Sequence, residues 1–106
     1  MTYTLIVSSR ASDQHLDALA YYEAEEDLAR ALDFDDVWES GLAEIALDPS
    51  LWRYDDGESG GDPTRQRIYW LDRPYGAWGV RYRVMGERIE VLTLRHAAAD
   101  PGGPFG

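Results

Sequence analysis

Arginine side chains interrupt three apolar segments in the last third of this chain. The segments are Arg67–Leu71, Trp78–Val84 and Arg88–His96, and the last of them ends in a histidine. Arginine binds phosphates and carboxylates through a planar fork of N–H donors, and histidine transfers protons readily near neutral pH. The pattern therefore indicates a surface that binds an anion.

Charge is divided unevenly along the chain. The 106 residues include 20 acidic residues and 10 arginines, with no lysine and no cysteine, for a formal net charge of -10. Residues 11–62 contain sixteen of the acids and two of the arginines, whereas residues 63–106 contain four acids and seven arginines. The acidic part disfavours nucleic acid over most of the surface, so the cationic part is where an anion is expected to bind.

The composition predicts one globular domain, over residues 1–100, with a flexible tail at residues 101–106. A hydrophobic content of 44% supplies one modest core. No apolar run reaches the roughly 18 residues of a membrane span and no signal peptide opens the chain, so a cytoplasmic location without membrane binding is expected. The absence of cysteine excludes thiolate chemistry, and neither a metal site nor a cofactor is predicted.

Two amphipathic helices are predicted after a short first strand at residues 3–7. A leucine and alanine stripe at helical spacing begins after a cap at Ser9 or Ser12. A second helix is predicted to start after a break near Asp33 and to end at Asp48, because the residue before a proline avoids helical geometry. A histidine in the acidic start of the first helix, His15, is expected to lie on the surface.

Three strands carry the arginines. Alternation on the middle strand puts Arg81 and Arg83 on one face and its apolar residues on the other, and Gly86-Glu87 fits a two-residue hairpin turn. Residues 53–64 are predicted to form a mobile surface loop. The whole order predicts an α+β fold in which an antiparallel sheet packs against two helices. The core or its edge is expected to contain four tryptophans: Trp38, Trp52, Trp70 and Trp78.

Five stretches occur in an order and spacing that one protein family combines. They are Leu16–Glu25, Asp48–Trp52, Arg65 with Arg67, Arg81–Val84 and Ile89–His96. In this the chain resembles the ParE/RelE toxin superfamily, the toxic halves of bacterial type II toxin–antitoxin pairs, over about residues 3–101. The resemblance implies a β-α-α-β-β-β fold and a cognate antitoxin whose C-terminal segment wraps the toxin. A homodimer, or a hetero-oligomer with the antitoxin, is the expected assembly.

Two activities are known in this superfamily. RelE-like members cleave messenger RNA on the ribosome without a metal, and ParE-like members inhibit DNA gyrase. The paired tyrosines in Tyr21–Ala24 and the strand Tyr82–Val84 are nearer to the ParE-like members. The nucleases usually carry a catalytic group where this chain has Trp78-Gly79. A ParE-like toxin is therefore favoured, with a RelE-like ribonuclease and a non-toxic interaction module as the alternatives.

The site residues depend on which activity applies. In a ribonuclease, His96 would transfer protons while Arg81 and Arg83 hold the scissile phosphate. In a binding protein, five arginines would contact the acidic segment of a partner, provided that Arg67, Arg81 and Arg83 converge on the sheet face away from the helices. Structural hydrogen bonds and ion pairs are the alternative role for these side chains. The predicted partner contacts are Arg65, Arg67, Arg81, Arg83 and Arg95.

Overall fold

The computed structural model of the chain describes residues 2–54 and 65–97. Within these residues it contains two helices and four strands in the predicted order, which confirms the α+β fold. The predicted tail at 101–106 and the predicted loop from residue 55 onward lie outside the described residues. The elements are β1 (Thr4–Val7), α1 (Ser9–Glu25), α2 (Leu28–Leu47), a single 3-10 turn (Pro49–Leu51), β2 (Arg67–Trp70), β3 (Trp78–Met85) and β4 (Arg88–His96).

The sheet is mixed, which corrects the prediction of a fully antiparallel one. Its strand order is β1-β4-β3-β2, with β3 antiparallel to both neighbours and β1 parallel to β4. The first helix runs in the same direction as β1 and β4. Its early residue Gln14 accepts through Oε1 from the Leu94 N–H at 2.8 Å. Its later residue Tyr22 contacts the indole of Trp78, which lies opposite His96 at the end of β4. Each later element reverses direction, so β4 returns parallel to β1.

Both helix starts are fixed by side-chain caps, and the cap of α1 is Ser8 and not the predicted Ser9 or Ser12. Ser8 Oγ accepts from the Ala11 N–H at 3.0 Å, and Asp27 Oδ1 accepts from the Arg30 N–H at 2.8 Å. The predicted break near Asp33 is therefore wrong, because the capping carboxylate of Asp27 ends the turn between the helices six residues earlier. The end of α2 before Pro49 is as predicted.

A bulge in β4 decides which side chains enter the core. The register shifts between Arg81 and Tyr82 of β3, so that Leu92 has no opposite residue. Strict alternation would put Val91 and Leu94 on opposite faces of the sheet, whereas the extra residue lets both face the helices, where they are 0% and 1% exposed. The bulge thus aligns the inward side chains of β4 with those of β3.

The core lies between this sheet face and α2. Phe34 packs edge-to-face on Trp78 and on Tyr75, with ring centres 5.4 and 5.1 Å apart. The buried tryptophans Trp38 and Trp78 confirm the prediction, and Trp52 is half-buried at the core edge. The prediction is wrong for Trp70, which is 41% exposed on the opposite side of the sheet.

His15 packs between the two helices, so the expectation that it lies on the surface is wrong. Its side chain is 13% exposed, and its ring stacks on Trp38 with centres 4.7 Å apart and an interplanar angle of 14°. Its Nε2 atom lies 2.9 Å from Asp35 Oδ1. The imidazole falls on the same helical stripe as the buried Ala11 and Ala18, which explains its burial.

Gly41 allows α2 to approach the sheet closely. A Cβ atom at this position would lie 2.9 Å from Leu71 Cδ2 and 3.0 Å from Tyr69 Cε1. Both of these side chains are buried, so neither can move into solvent to make room.

We expect Gly41→Val to lower the free energy of unfolding by about 1–3 kcal/mol through overpacking. The matched control is Ser40→Val, which adds the same β-branched residue to the exposed neighbouring position of the same helix. Urea denaturation with unchanged m-values measures both variants. Equal effects of the two substitutions would contradict this account of Gly41.

Candidate partner-binding surfaces

Within residues 2–54 and 65–97, no helix covers one face of the sheet, because α1 and α2 both pack on the other face. We call the uncovered side the outer face. Register places on it every second residue of each strand, counted across the bulge in β4. Its members are Thr4, Ile6, Ile68, Trp70, Gly79, Arg81, Arg83, Met85, Arg88, Glu90, Thr93 and Arg95.

A row across the outer face combines an exposed aromatic ring with a cation. Trp70 lies opposite Gly79, which in turn lies opposite Arg95. A Cβ atom on Gly79 would lie 2.8 Å from Ile68 Cδ1 and 3.0 Å from Trp70 Cζ3, so both side chains lie over the glycine. With Ile6 45% exposed and Trp70 41% exposed, the face presents apolar area beside arginines. Such a combination is typical of protein-binding surfaces.

The arginines of the outer face differ in how far they are neutralised. Arg83 Nε donates to Glu90 Oε1 at 2.6 Å, and Arg88 Nη2 lies 3.1 Å from Glu90 Oε2. The hydrogen bond from Arg83, helped by the nearby charges of both arginines, lowers the pKa of Glu90. Within the part of the chain that the structure describes, Arg95 forms no ion pair. Its charge is therefore available to a carboxylate or phosphate from another molecule.

Arg67 does not lie on the outer face, so the condition that Arg67, Arg81 and Arg83 converge there is not met. It lies opposite Tyr82, on the helix side of the sheet, whereas its neighbour Ile68 lies opposite Arg81. The side chain of Arg67 donates to the carbonyl oxygen of Trp52 and to the hydroxyl of Tyr54. Arg81 and Arg83 remain together on the other side of the strand.

Arg65 joins Arg67 at a second surface, a small cleft beside the Tyr54 ring. The guanidinium carbons of Arg65 and Arg67 lie 3.6 and 4.0 Å from the ring centre, which is cation–π geometry. The cleft has a volume of about 200 Å³. Its lining residues are Tyr3, Pro49, Ser50, Tyr54, Arg65, Arg67 and Val84.

Tyr82 holds in place the segment Pro49-Ser50, which lines this cleft. Its buried hydroxyl donates to the carbonyl oxygen of Pro49, the first residue of the 3-10 turn that follows α2. Burial raises the pKa of Tyr82 well above its usual range, although the charge of Arg67 acts in the opposite direction. The hydroxyl therefore stays protonated and keeps its hydrogen bond throughout the neutral range.

His96 is separated from the two arginines that a ribonuclease site would require. It lies opposite Trp78, on the helix side of the sheet, and the two rings meet at 84° with centres 5.1 Å apart. The indole N–H of Trp78 donates to Tyr22 Oη at 2.8 Å. Because Arg81 and Arg83 lie on the outer face, the structure does not bring the three predicted catalytic residues together.

The positions of two residues on these surfaces were not predicted from the sequence. Trp70 alternates with the buried Tyr69 and Leu71, and this alternation was the signal for its outward position. Tyr54 stands before an acidic, glycine-rich stretch, and no local pattern indicates that it contacts Arg65 and Arg67.

The described residues contain neither a cluster suited to a metal ion nor a membrane-spanning helix. Across residues 2–54 and 65–97, no group of three or more histidine, aspartate or glutamate side chains is placed to hold a metal ion. No helix in the described part of the chain is both long enough and apolar enough to cross a membrane.

The fold is found in a solved structure, described as the chromosomal ParDE TA system from P. aeruginosa. The superposition has a TM-score of 0.72 and covers 90% of this chain and 96% of that chain, at 16% sequence identity. No family model and no curated protein matches the sequence. The comparison confirms the fold implied by the resemblance to the ParE/RelE superfamily, and at this identity it bears on the fold alone.

We expect Glu90→Gln to flatten the acid side of the stability profile. The lowered pKa of Glu90 means that its carboxylate stabilises the fold above its ordinary pKa of 4.5 and ceases to do so as the pH falls through the lower folded value. Urea denaturation in steps from about pH 7 to about pH 3 measures the difference.

The control for this experiment is Glu87→Gln, in the exposed hairpin turn. Its profile should parallel that of the wild type, because Glu87 has no ion pair among the described residues. If Glu90→Gln also gave a profile parallel to the wild type, the ion pairs on the outer face would not contribute to stability.

Proposed function

We propose that this chain is the toxin of a type II toxin–antitoxin pair and that it is ParE-like. In this proposal it stops growth in the cytoplasm by binding DNA gyrase, and a cognate antitoxin neutralises it. The supporting observation is the superposition on a ParDE TA system over 90% of the chain. The open cationic face adds to this support, because it is suited to an acidic protein segment.

The outer face is the proposed antitoxin-binding surface. Trp70 supplies a large, half-exposed apolar contact, and Arg95 supplies a cation that has no carboxylate partner in the described part of the chain. Tryptophan and arginine contribute most often to the binding energy of protein interfaces. Arg81 and Arg83 extend the cationic area along β3, and Arg65 and Arg67 in the cleft beside Tyr54 are proposed as a separate contact.

The geometry favours binding over RNA cleavage. Metal-free cleavage requires a proton-transfer group and phosphate-binding groups around one scissile bond. His96 lies on one side of the sheet, whereas Arg81 and Arg83 lie on the other. The two alternatives, a RelE-like ribonuclease that acts on the ribosome and a non-toxic interaction module, are outcomes of the experiments below.

We expect induced expression of the chain to stop growth, and co-expression of the proposed cognate antitoxin to restore it. We further expect the purified chain to inhibit supercoiling of relaxed plasmid by gyrase. Growth arrest with intact supercoiling and with cleavage of ribosome-bound messenger RNA would support the ribonuclease instead, provided that His96→Ala abolishes the cleavage. Absence of both arrest and a co-purifying partner would refute the toxin proposal.

We expect substitutions on the outer face to weaken antitoxin binding selectively. Arg95→Glu should raise the Kd about tenfold or more, and Trp70→Ala should raise it about thirtyfold, as for a central aromatic contact. Calorimetric titration measures both. The matched control is Arg10→Glu, which makes the same charge change at an exposed position of α1 and should leave the Kd nearly unchanged.

The control also separates specific contacts from general electrostatic attraction. If Arg10→Glu weakened binding as much as Arg95→Glu, the antitoxin would be responding to net charge and not to the outer face. Retained affinity in both outer-face variants would place the antitoxin elsewhere on the molecule.

A further inference from the structure

The helix pair presents exposed apolar side chains on its solvent side. Three leucines there are more than half exposed, at 57% for Leu16, 56% for Leu28 and 57% for Leu32. We call these three residues the leucine seam. A single exposed leucine is ordinary on a protein surface, but a cluster of three is a feature of interaction surfaces.

The contact between His15 and Asp35, with helical periodicity, places the three leucines along the line where the two helices meet. This pair lies 2.9 Å apart and identifies the sides of α1 and α2 that meet. Leu16 follows His15 by one residue, away from the sheet. Leu32 precedes Asp35 by three residues and Leu28 precedes Leu32 by four, so both lie along the same side of α2.

The leucine seam continues inward through a half-buried apolar side chain of α1. Leu19 lies one helical turn beyond Leu16 on α1, is half-buried and packs against the core. The exposed leucines flank it on both helices. This arrangement suits the apolar stripe of an amphipathic helix, which packs side chains at spacings of three and four residues on such surfaces.

The surroundings of the leucine seam are strongly acidic. The two helices and their turn, residues 9–47, contain eleven carboxylates and two arginines. One of these arginines, Arg30, is already paired with Glu26 at 3.2 Å and also lies over the Tyr75 ring, on the far side of α2 from the seam. Glu23 on α1, and Asp36 and Glu39 on α2, are exposed beside the leucines.

We infer that the leucine seam is a docking surface for a basic amphipathic helix of a partner protein. Charge complementarity selects this occupant. A second copy of the chain would place one acidic helix pair against another, and an acidic antitoxin segment or a nucleic acid would be repelled in the same way. A helix with lysines or arginines beside an apolar stripe would pack on the leucines and form ion pairs with the carboxylates near them.

This docking surface is independent of the proposed toxin function. It lies on the helix layer, whereas the outer face lies on the opposite side of the sheet. A partner on the leucine seam and an acidic partner on the outer face therefore do not compete for space. The chain would hold a basic and an acidic protein at the same time, one on each side.

The test uses a synthetic helical peptide of about 18 residues, built from lysine and alanine with leucines at spacings of three and four. Fluorescence anisotropy with the intact chain, at low and physiological salt, measures binding. We expect Leu28→Gln together with Leu32→Gln to weaken binding about tenfold or more. Glutamine is a good helix former, so the helix should be retained.

The matched control is Leu47→Gln, at an 80% exposed leucine near the end of α2 and outside the seam. It should leave the affinity unchanged, and circular dichroism checks that all variants stay folded. Should the double variant unfold, Leu16→Gln tests the same seam from α1. Equal binding by the wild type, the seam variant and the control would overturn the inference, because the peptide would then be responding to charge alone.

Self-association is the other outcome that would overturn the inference. Sedimentation of the wild-type chain at high salt, where repulsion between acidic faces is screened, detects a dimer. If such a dimer formed and Leu28→Gln with Leu32→Gln abolished it, the occupant of the seam would be a second copy. A monomer at all salt concentrations, together with seam-dependent peptide binding, would support the basic partner.

Discussion

Burial of one face of the sheet against α2 is the constraint on which the other features depend. Phe34 and its aromatic neighbours pack on the inward side chains of β3, and the inward side chains are then fixed by the strand period of two. Every side chain between them must point away from the helices. Arg81 and Arg83 are therefore carried to the outer face, whereas His96 and Arg67 are kept on the helix side.

The same constraint gives the molecule two exposed sides of opposite charge. The helices that bury the inner face present their own acidic residues and the leucine seam to solvent. The outer face presents arginines around Trp70 and Ile6, with only Glu90 to offset them among its defining residues. This separation explains how a chain with a net charge of -10 can carry a local surface suited to an acidic partner.

Local patterns predicted much of the fold but not the contacts between distant segments. The β3 alternation, the turn at Gly86 and the helix end before Pro49 depend on neighbouring residues, and each was predicted. The parallel pairing of β1 depends on the direction in which α1 leaves it. The inward position of Arg67 depends on its pairing with Tyr82, and the burial of His15 depends on Asp35 in the other helix.

Hydroxyl-radical footprinting of the chain, alone and with the proposed cognate antitoxin, tests the central claim that the outer face binds the partner. Trp70 reports on the outer face and Leu32 on the leucine seam, and both are exposed in the chain alone. Our account requires that the antitoxin strongly reduce oxidation of Trp70 and leave that of Leu32 unchanged. Protection of Leu32 with unchanged oxidation of Trp70 would contradict it.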